Sequence, residues 1–202
     1  FDHHLVRDTV YNGLLKRARA TMHTEFVKWA DQVNAESDRG QEFEAILGYH
    51  LEQAYKYLSE LGPIDEAGAA IGRDGARRLA SAARRAFARG DMHAAANLFQ
   101  RSTTLLPLDD ELRAELLTEL GETLVGLGDF LRARSVLLEA RSIAQQIGSQ
   151  RIQAASQLIE MVMRLFTGDR DDAAEEVVPA PSDLIPLLER EGAHNELATA
   201  WR

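Results

Sequence analysis

Apolar residues recur along this chain at steps of three and four, the spacing that lines up one face of an α-helix, and no stretch alternates as a half-buried strand does. In Phe1–Leu15 the stripe is Leu5, Val10, Leu14 and Leu15. In Arg19–Val33 it is Met22, Phe26, Trp29, Ala30 and Val33, which the spacing predicts to face inward. The polar, glycine-ended stretch Asn34–Gly40 is a loop, and a third helix is predicted over Gln41–Leu61 with Ile46, Leu47, Leu51, Ala54, Tyr55 and Leu58 inward. Gly62-Pro63 stops it, because glycine takes the left-handed cap and proline cannot continue the hydrogen-bond ladder. Ile64–Ala70 is a short helical stretch; Gly68, Gly72 and Gly75 point either to a loose helix or to two backbones crossing closely.

From Ala76 onward the pattern repeats. Gly90-Asp91, Gly128-Asp129 and Gly168-Asp169 recur at steps of 38 and 40 residues, each between two helical patterns. Glycine ends the first helix and aspartate caps the second by accepting backbone N–H bonds, which makes an antiparallel hairpin. An alanine follows each hinge (Ala95, Ala133, Ala174) and lets the two helices approach. The first-helix stripes are Leu79, Ala82, Ala83 and Ala86, then Leu117, Leu120, Gly121 and Leu124, then, with one extra residue in the third hinge, Leu158, Met161, Val162 and Leu165. Phe99 with Ser102, and Leu137 with Ala140, are the second-helix counterparts. Pro179 and Pro181 interrupt the third unit, whose second helix restarts at Ser182, and a fourth unit begins at His194.

Composition narrows the function. The chain has 202 residues, no cysteine and a formal net charge of −9. Disulfides and Cys-based zinc sites are excluded, and the charge argues against nucleic-acid binding. No apolar run reaches the ~20 residues that span a bilayer, and with no secretory signal a cytoplasmic location is expected. The chain opens at Phe1 without methionine and runs out in a helical pattern over Asn195–Arg202, as expected of a piece of a longer protein.

The hairpin units resemble tetratricopeptide repeats, although their step exceeds that family's usual length of about 34 residues. Phe1, His3, Leu5, Val6, Arg7, Asp8, Tyr11, Leu14 and His23 are similar to the tail of the winged-helix module in bacterial signal-transducing ATPases of the AAA/STAND type. Leu47-Gly48-Tyr49-His50-Leu51-Glu52-Gln53-Ala54, followed by Leu61-Gly62-Pro63, resembles the multidomain class III adenylate/guanylate cyclases that carry such an ATPase. LuxR-type transcription regulators share the architecture and come second. The resemblance implies an all-α right-handed superhelix of antiparallel helix pairs, with residues 1–62 as a helical junction and residues 63–202 as the repeat array, its last unit truncated. It implies a non-catalytic, protein-interaction and regulatory segment of a signalling ATPase, most like a nucleotide cyclase; the alternative is the effector-sensing part of a LuxR-type regulator.

Candidate chemistry is sparse. Gly68-Ala-Ala-Ile-Gly72-Arg-Asp-Gly75 lacks the lysine and hydroxyl of a phosphate-binding loop. His50-Leu51-Glu52 lacks the cysteine pair of a zinc deaminase. The acidic run Asp169–Glu176 fails as a calcium loop, with Ala174 and Ala180 where glycine and glutamate belong. His23 and His50 beside apolar stripes suggest helix-interface hydrogen bonds; His3-His4 could hold a metal only with ligands from elsewhere, and a buried or capping role is expected for His3. No catalytic residue, metal site or cofactor is expected. Arg77, Arg78, Arg84, Arg85 and Arg89 form the densest basic run. In the resembled family, residues beside the first-helix stripe line a groove. That places Arg77, Arg84 and Phe87 there, then Glu115, Glu122 and Val125, then Ile159, Met163 and Phe166, a wall graded from basic to acidic to apolar. Its expected occupant is a protein or peptide, or another domain of the same chain, and a homodimer through the repeats stays open.

Overall fold

The computed structural model describes Thr9, Tyr11, residues 13–34 and 43–167, and Pro186, Glu189 and Arg190. Among these residues there are seven helices and no strand: α1 (Lys16–Asn34), α2 (Glu44–Ser59), α3 (Glu66–Ala88), α4 (Met92–Thr103), α5 (Glu111–Gly126), α6 (Phe130–Ile147) and α7 (Gln150–Thr167). The Gly168-Asp169 hinge, the proline break and the fourth unit lie outside the described residues, as do the winged-helix-like residues before Thr9.

Each helix packs on the next in the chain. Positions 48, 51 and 55 of α2 meet 79, 75 and 72 of α3 in that order, so the two run antiparallel. The glycine stretch is one continuous run inside the 23-residue α3, and of the two readings it is the close crossing. It is glycine because α2 and the α4–α5 turn cross it: a Cβ at Gly72 would lie 2.6 Å from the Leu105 carbonyl oxygen and 2.8 Å from the Tyr55 ring. Gly62-Pro63 does separate α2 from α3, but α2 packs along α3 across that break.

The two described Gly-Asp hinges share one geometry. Gly90 and Gly128 take φ of +80° and +75°, where a side chain would be strained. The following N–H groups reach back five residues, Asp91 to the Ala86 carbonyl at 2.9 Å and Asp129 to the Leu124 carbonyl at 3.0 Å. Each aspartate carboxylate then accepts from the new helix, from Ala94 N–H at 3.1 Å and Arg132 N–H at 3.3 Å. Two short motifs thus close one helix and open the next, and α3/α4 and α5/α6 are helix hairpins.

The first helices of successive units lie side by side and parallel. Thr118 of α5 and Ser156 of α7, 38 residues apart, share a buried hydrogen bond at 3.0 Å. This contact fixes the third unit's register and corrects the sequence reading. The residues one step of 38 beyond Leu117, Leu120, Gly121 and Leu124 are Ala155, Leu158 and Ile159, all buried, and half-buried Val162, whereas Met161 is half-buried and Leu165 exposed. Counting back from Gly168 over an assumed extra residue displaced the stripe by three positions. The main core joins Leu79, Ala83, Phe99, Leu116, Leu120, Leu124 and Ala133, and a second joins α5, α6 and α7 through Leu117, Ala140, Ile143 and Ile152.

The amino-terminal helices depart from expectation on one face. Helix α1 buries Val27 and Ala30 against Leu47 and Leu51 of α2, and Ala20 is buried as well. Met22, Phe26, Trp29 and Val33, expected inward, are exposed, and so is Ile46.

Candidate interaction surface

The outward faces of the parallel first helices carry opposite charge. Helix α3 exposes Arg73, Arg77 and Arg84, and α5 presents Glu111, Glu115, Glu119 and Glu122 at steps of four, four and three, one face of a helix. These rows are stitched across units. The Arg84 guanidinium donates to both Glu119 oxygens, at 2.7 and 2.5 Å. Arg151 of α7 pairs with Glu115, and Arg73 pairs with Asp110, the N-cap of α5. Such pairs are partly exposed and contribute little each; their effect is to fix the spacing between neighbouring first helices.

The wall expected from sequence is brought together in part. Arg77 is exposed and makes no hydrogen bond or ion pair among the described residues. Arg84 and Glu115 are on the same surface but engaged with Glu119 and Arg151, and Glu122 is half-buried beside them. Phe87 and Val125 are half-buried and pack against the main core. Ile159 and Met163 are not wall residues: both are buried, and Met163 belongs to the main core. They sit at the register positions of buried Gly121 and half-buried Val125; for Met163 this follows from the three-residue displacement, whereas Ile159 lies six residues beyond Gln153, the counterpart of Glu115. Phe166 is exposed near the end of α7. The corrected register assigns Gln153 and Glu160 to the positions of Arg77 and Arg84; Glu160 is buried and held by Arg141 at 3.1 Å and Arg164 at 3.6 Å. Glu119, Arg151 and Arg73 were missed because their partners lie a whole repeat away.

Beside the stitched rows, Arg73, Pro107, Asp109, Asp110, Glu111 and Ile147 line an open depression of about 530 Å³. Its buried carboxylate, Asp110, is committed to capping α5 at Leu112 N–H and to Arg73. Among the described residues no three His, Asp or Glu converge as a metal site, and no helix is long and apolar enough to cross a membrane.

A second polar constellation links α1 and α2. His23 and His50 meet through their Nδ1 atoms at 2.7 Å, as the sequence suggested, and His23 Nε2 lies 2.7 Å from the Tyr11 hydroxyl, which donates to Tyr57 at 3.2 Å. With the Tyr11 proton on Tyr57, His23 Nε2–H donates to the Tyr11 oxygen, and His23 Nδ1 accepts from His50 Nδ1–H. Both imidazoles are neutral in this chain. Burial pushes the Tyr11 hydroxyl up to about 12, aided by the bond to Tyr57, and Tyr57 moves down because it accepts that bond. The Arg19 guanidinium stacks over both tyrosine rings, at 5.1 and 5.4 Å.

Burial lowers both histidines below their ordinary value of 6.5, and the neighbouring His50 lowers His23 further. The folded chain therefore takes up these protons at lower pH than the unfolded chain. Their contribution to stability is complete above pH 6.5 and is lost as pH falls from there through the depressed folded values. The melting midpoint is expected to hold between pH 8 and 7 and to fall below 6.5, and His50→Phe is expected to flatten that fall. An equal fall in the variant would reject the assignment.

The chain matches no family model and no curated protein. Among solved structures it is similar to BtubC (BKLC) from P. vanneervenii, at 14% identity and a TM-score of 0.45, over 93% of this chain and 87% of that one. A likeness at that level carries no argument about function.

Proposed function

We propose that this chain is a non-catalytic interaction and coupling module within a larger signalling protein, its outward first-helix faces serving as a docking platform. The observation that carries this reading is the set of parallel first helices held rung by rung through Arg84–Glu119 and Arg151–Glu115, with Arg77 exposed between Arg73 and Arg84. Stacked helix pairs of this kind present extended binding faces. Because the acidic row of α5 neutralises most of the arginines, the fitting partner is a segment of mixed charge that offers one carboxylate to Arg77, not a polyacidic peptide.

The parent follows from the sequence resemblance: a cytoplasmic ATPase with an output domain, a nucleotide cyclase in the favoured reading and a DNA-binding regulator in the other. Docking on the repeat face would bias the ATPase through the amino-terminal helices, which is a coupling between two sites. Comparing the parent's ATPase or cyclase rate with and without residues 1–202 tests it, and equal rates would remove the regulatory role. Arg77→Glu in the parent is expected to move the rate toward that of the deletion while changing stability by no more than about 0.5 kcal/mol, as for an exposed substitution. The isolated chain is expected to show no turnover of ATP.

A further inference from the structure

Helix α1 is held to α2 by little apolar surface. Val27 and Ala30 pack on Leu47 and Leu51 in a cluster separate from the main core, whereas α2 is seated on α3 along Gly48, Leu51 and Tyr55. Between α1 and α2 lies the imidazole pair, Nδ1 to Nδ1 at 2.7 Å. That contact holds one proton, because a hydrogen bond needs a lone pair opposite the N–H. A first added proton leaves it intact. It goes to His50 Nε2, the free lone pair of the neutral network, and His50 then donates to His23 Nδ1 as a cation, a stronger bond than the neutral one. The Phe26 ring, 4.3 Å from His50, accommodates the charge.

A second proton has one place left, His23 Nδ1, since His23 Nε2–H is given to Tyr11. There it sets N–H against N–H, and cation beside cation with ring centres 5.0 Å apart. Among the described residues no uncommitted carboxylate answers that charge. On α1, Glu25 belongs to Lys28 and Asp31 to Arg78, and Arg19 is itself a cation over Tyr11 and Tyr57. On α2, Glu44 faces Arg78 and Glu52 holds Arg101, while Glu60 just beyond it holds Lys16. Tyr49 and Tyr57 offer hydroxyls, and Lys56 is a further cation. From α3 it is Arg78 that reaches both helices, bound to Asp31, Glu44 and Asp74.

We propose that the His23–His50 pair is an acid-operated latch on α1, closed while it carries one added proton and releasing α1 from α2 when it takes a second. Release is local, since the main core and the seat of α2 on α3 do not involve α1. Burial lowers both histidines, and the charge on His50 lowers His23 further, so His23 is the last to protonate. The closed state binds fewer protons than the released one, and each pH unit from 6.5 down to the second step favours release about tenfold.

Hydrogen–deuterium exchange of the 202-residue chain, corrected for the intrinsic rate at each pH, tests this between pH 7.5 and pH 5. Helix α1 is expected to lose protection by about tenfold per pH unit below 6.5, while α5 keeps its own. Imidazole nitrogen shifts are expected to show His50 protonating before His23. In His50→Gln the amide can donate to neutral His23 or turn its oxygen to the protonated ring, and α1 is expected to stay protected at both pH values. If that variant fails to fold, His23→Gln serves in the same way. Protection of α1 retained at pH 5, α1 and α5 opening together, His23 protonating first, or α1 released as readily in the glutamine variant would each overturn the proposal.

Discussion

Gly72→Val is expected to cost about 3 kcal/mol, the upper end of what overpacking a filled interior exacts, and to lower the melting midpoint by about 6–12 °C in a chain of this size. The new Cβ would fall 2.6 Å from the Leu105 carbonyl oxygen and 2.8 Å from Tyr55. A backbone oxygen cannot swing aside as a side-chain tip does, and the Tyr55 ring is itself packed on the main core. Relief requires α3 to move away from α2 and the α4–α5 turn together. Gly72→Ala is the sharper comparison, because propensity alone promises a gain of about 1 kcal/mol in a helix interior. The close crossing predicts a loss instead. Gly126→Ala is the control: a Cβ there meets only the Met92 sulfur, at 3.8 Å, and is expected to be neutral or stabilising. A gain at both positions, measured by thermal or urea unfolding, would mean that α3 is loosely held.

What the sequence made legible is what depends on neighbours in the chain. Gly90-Asp91 and Gly128-Asp129 announce their own geometry, because a left-handed glycine and a capping aspartate act within five residues of each other. Small residues at Ala95, Ala133 and Gly121 likewise mark close approach before any partner is known. The failures came from longer range. Helix α1 offers two stripes, and bulk favours Met22, Phe26, Trp29 and Val33 as the core; the smaller Val27 and Ala30 won because α2 lies close enough to need small side chains. In the third unit the Gly168-Asp169 motif points to a stripe three positions too far along, whereas the Thr118–Ser156 bond continues the step of 38 unchanged. The surface was half legible. Arg77, Arg84, Glu115 and Glu122 do share it, but that Arg84 is claimed by Glu119 and Glu115 by Arg151 depends on how units stack, which no local spacing encodes.

Ala133→Leu tests the packing within the α5/α6 hairpin, with an expected loss of about 3 kcal/mol. Ala133 is completely buried one turn into α6, in the core shared with Leu120 and Leu124 of its hairpin partner α5. Its N–H is bound to the Asp129 carbonyl at 3.0 Å, so the hinge pins the backbone there and the helix cannot slide to make room. Leucine and alanine differ by only a few tenths of a kcal/mol in helix propensity, so nearly all of the loss measures the three carbons forced between α5 and α6. The same helix supplies the reference: Leu131 is 87% exposed, and Leu131→Ala, which removes three carbons, is expected to change stability by less than about 0.5 kcal/mol. One unit earlier, Ala95 occupies the equivalent buried place after Gly90-Asp91, so Ala95→Leu is expected to lose a similar amount. Two matching losses 38 residues apart, against a silent Leu131→Ala, are what a repeated hairpin requires. An unchanged urea midpoint for Ala133→Leu would leave the two hinges as unrelated turns and remove the parallel first-helix platform on which the docking surface depends.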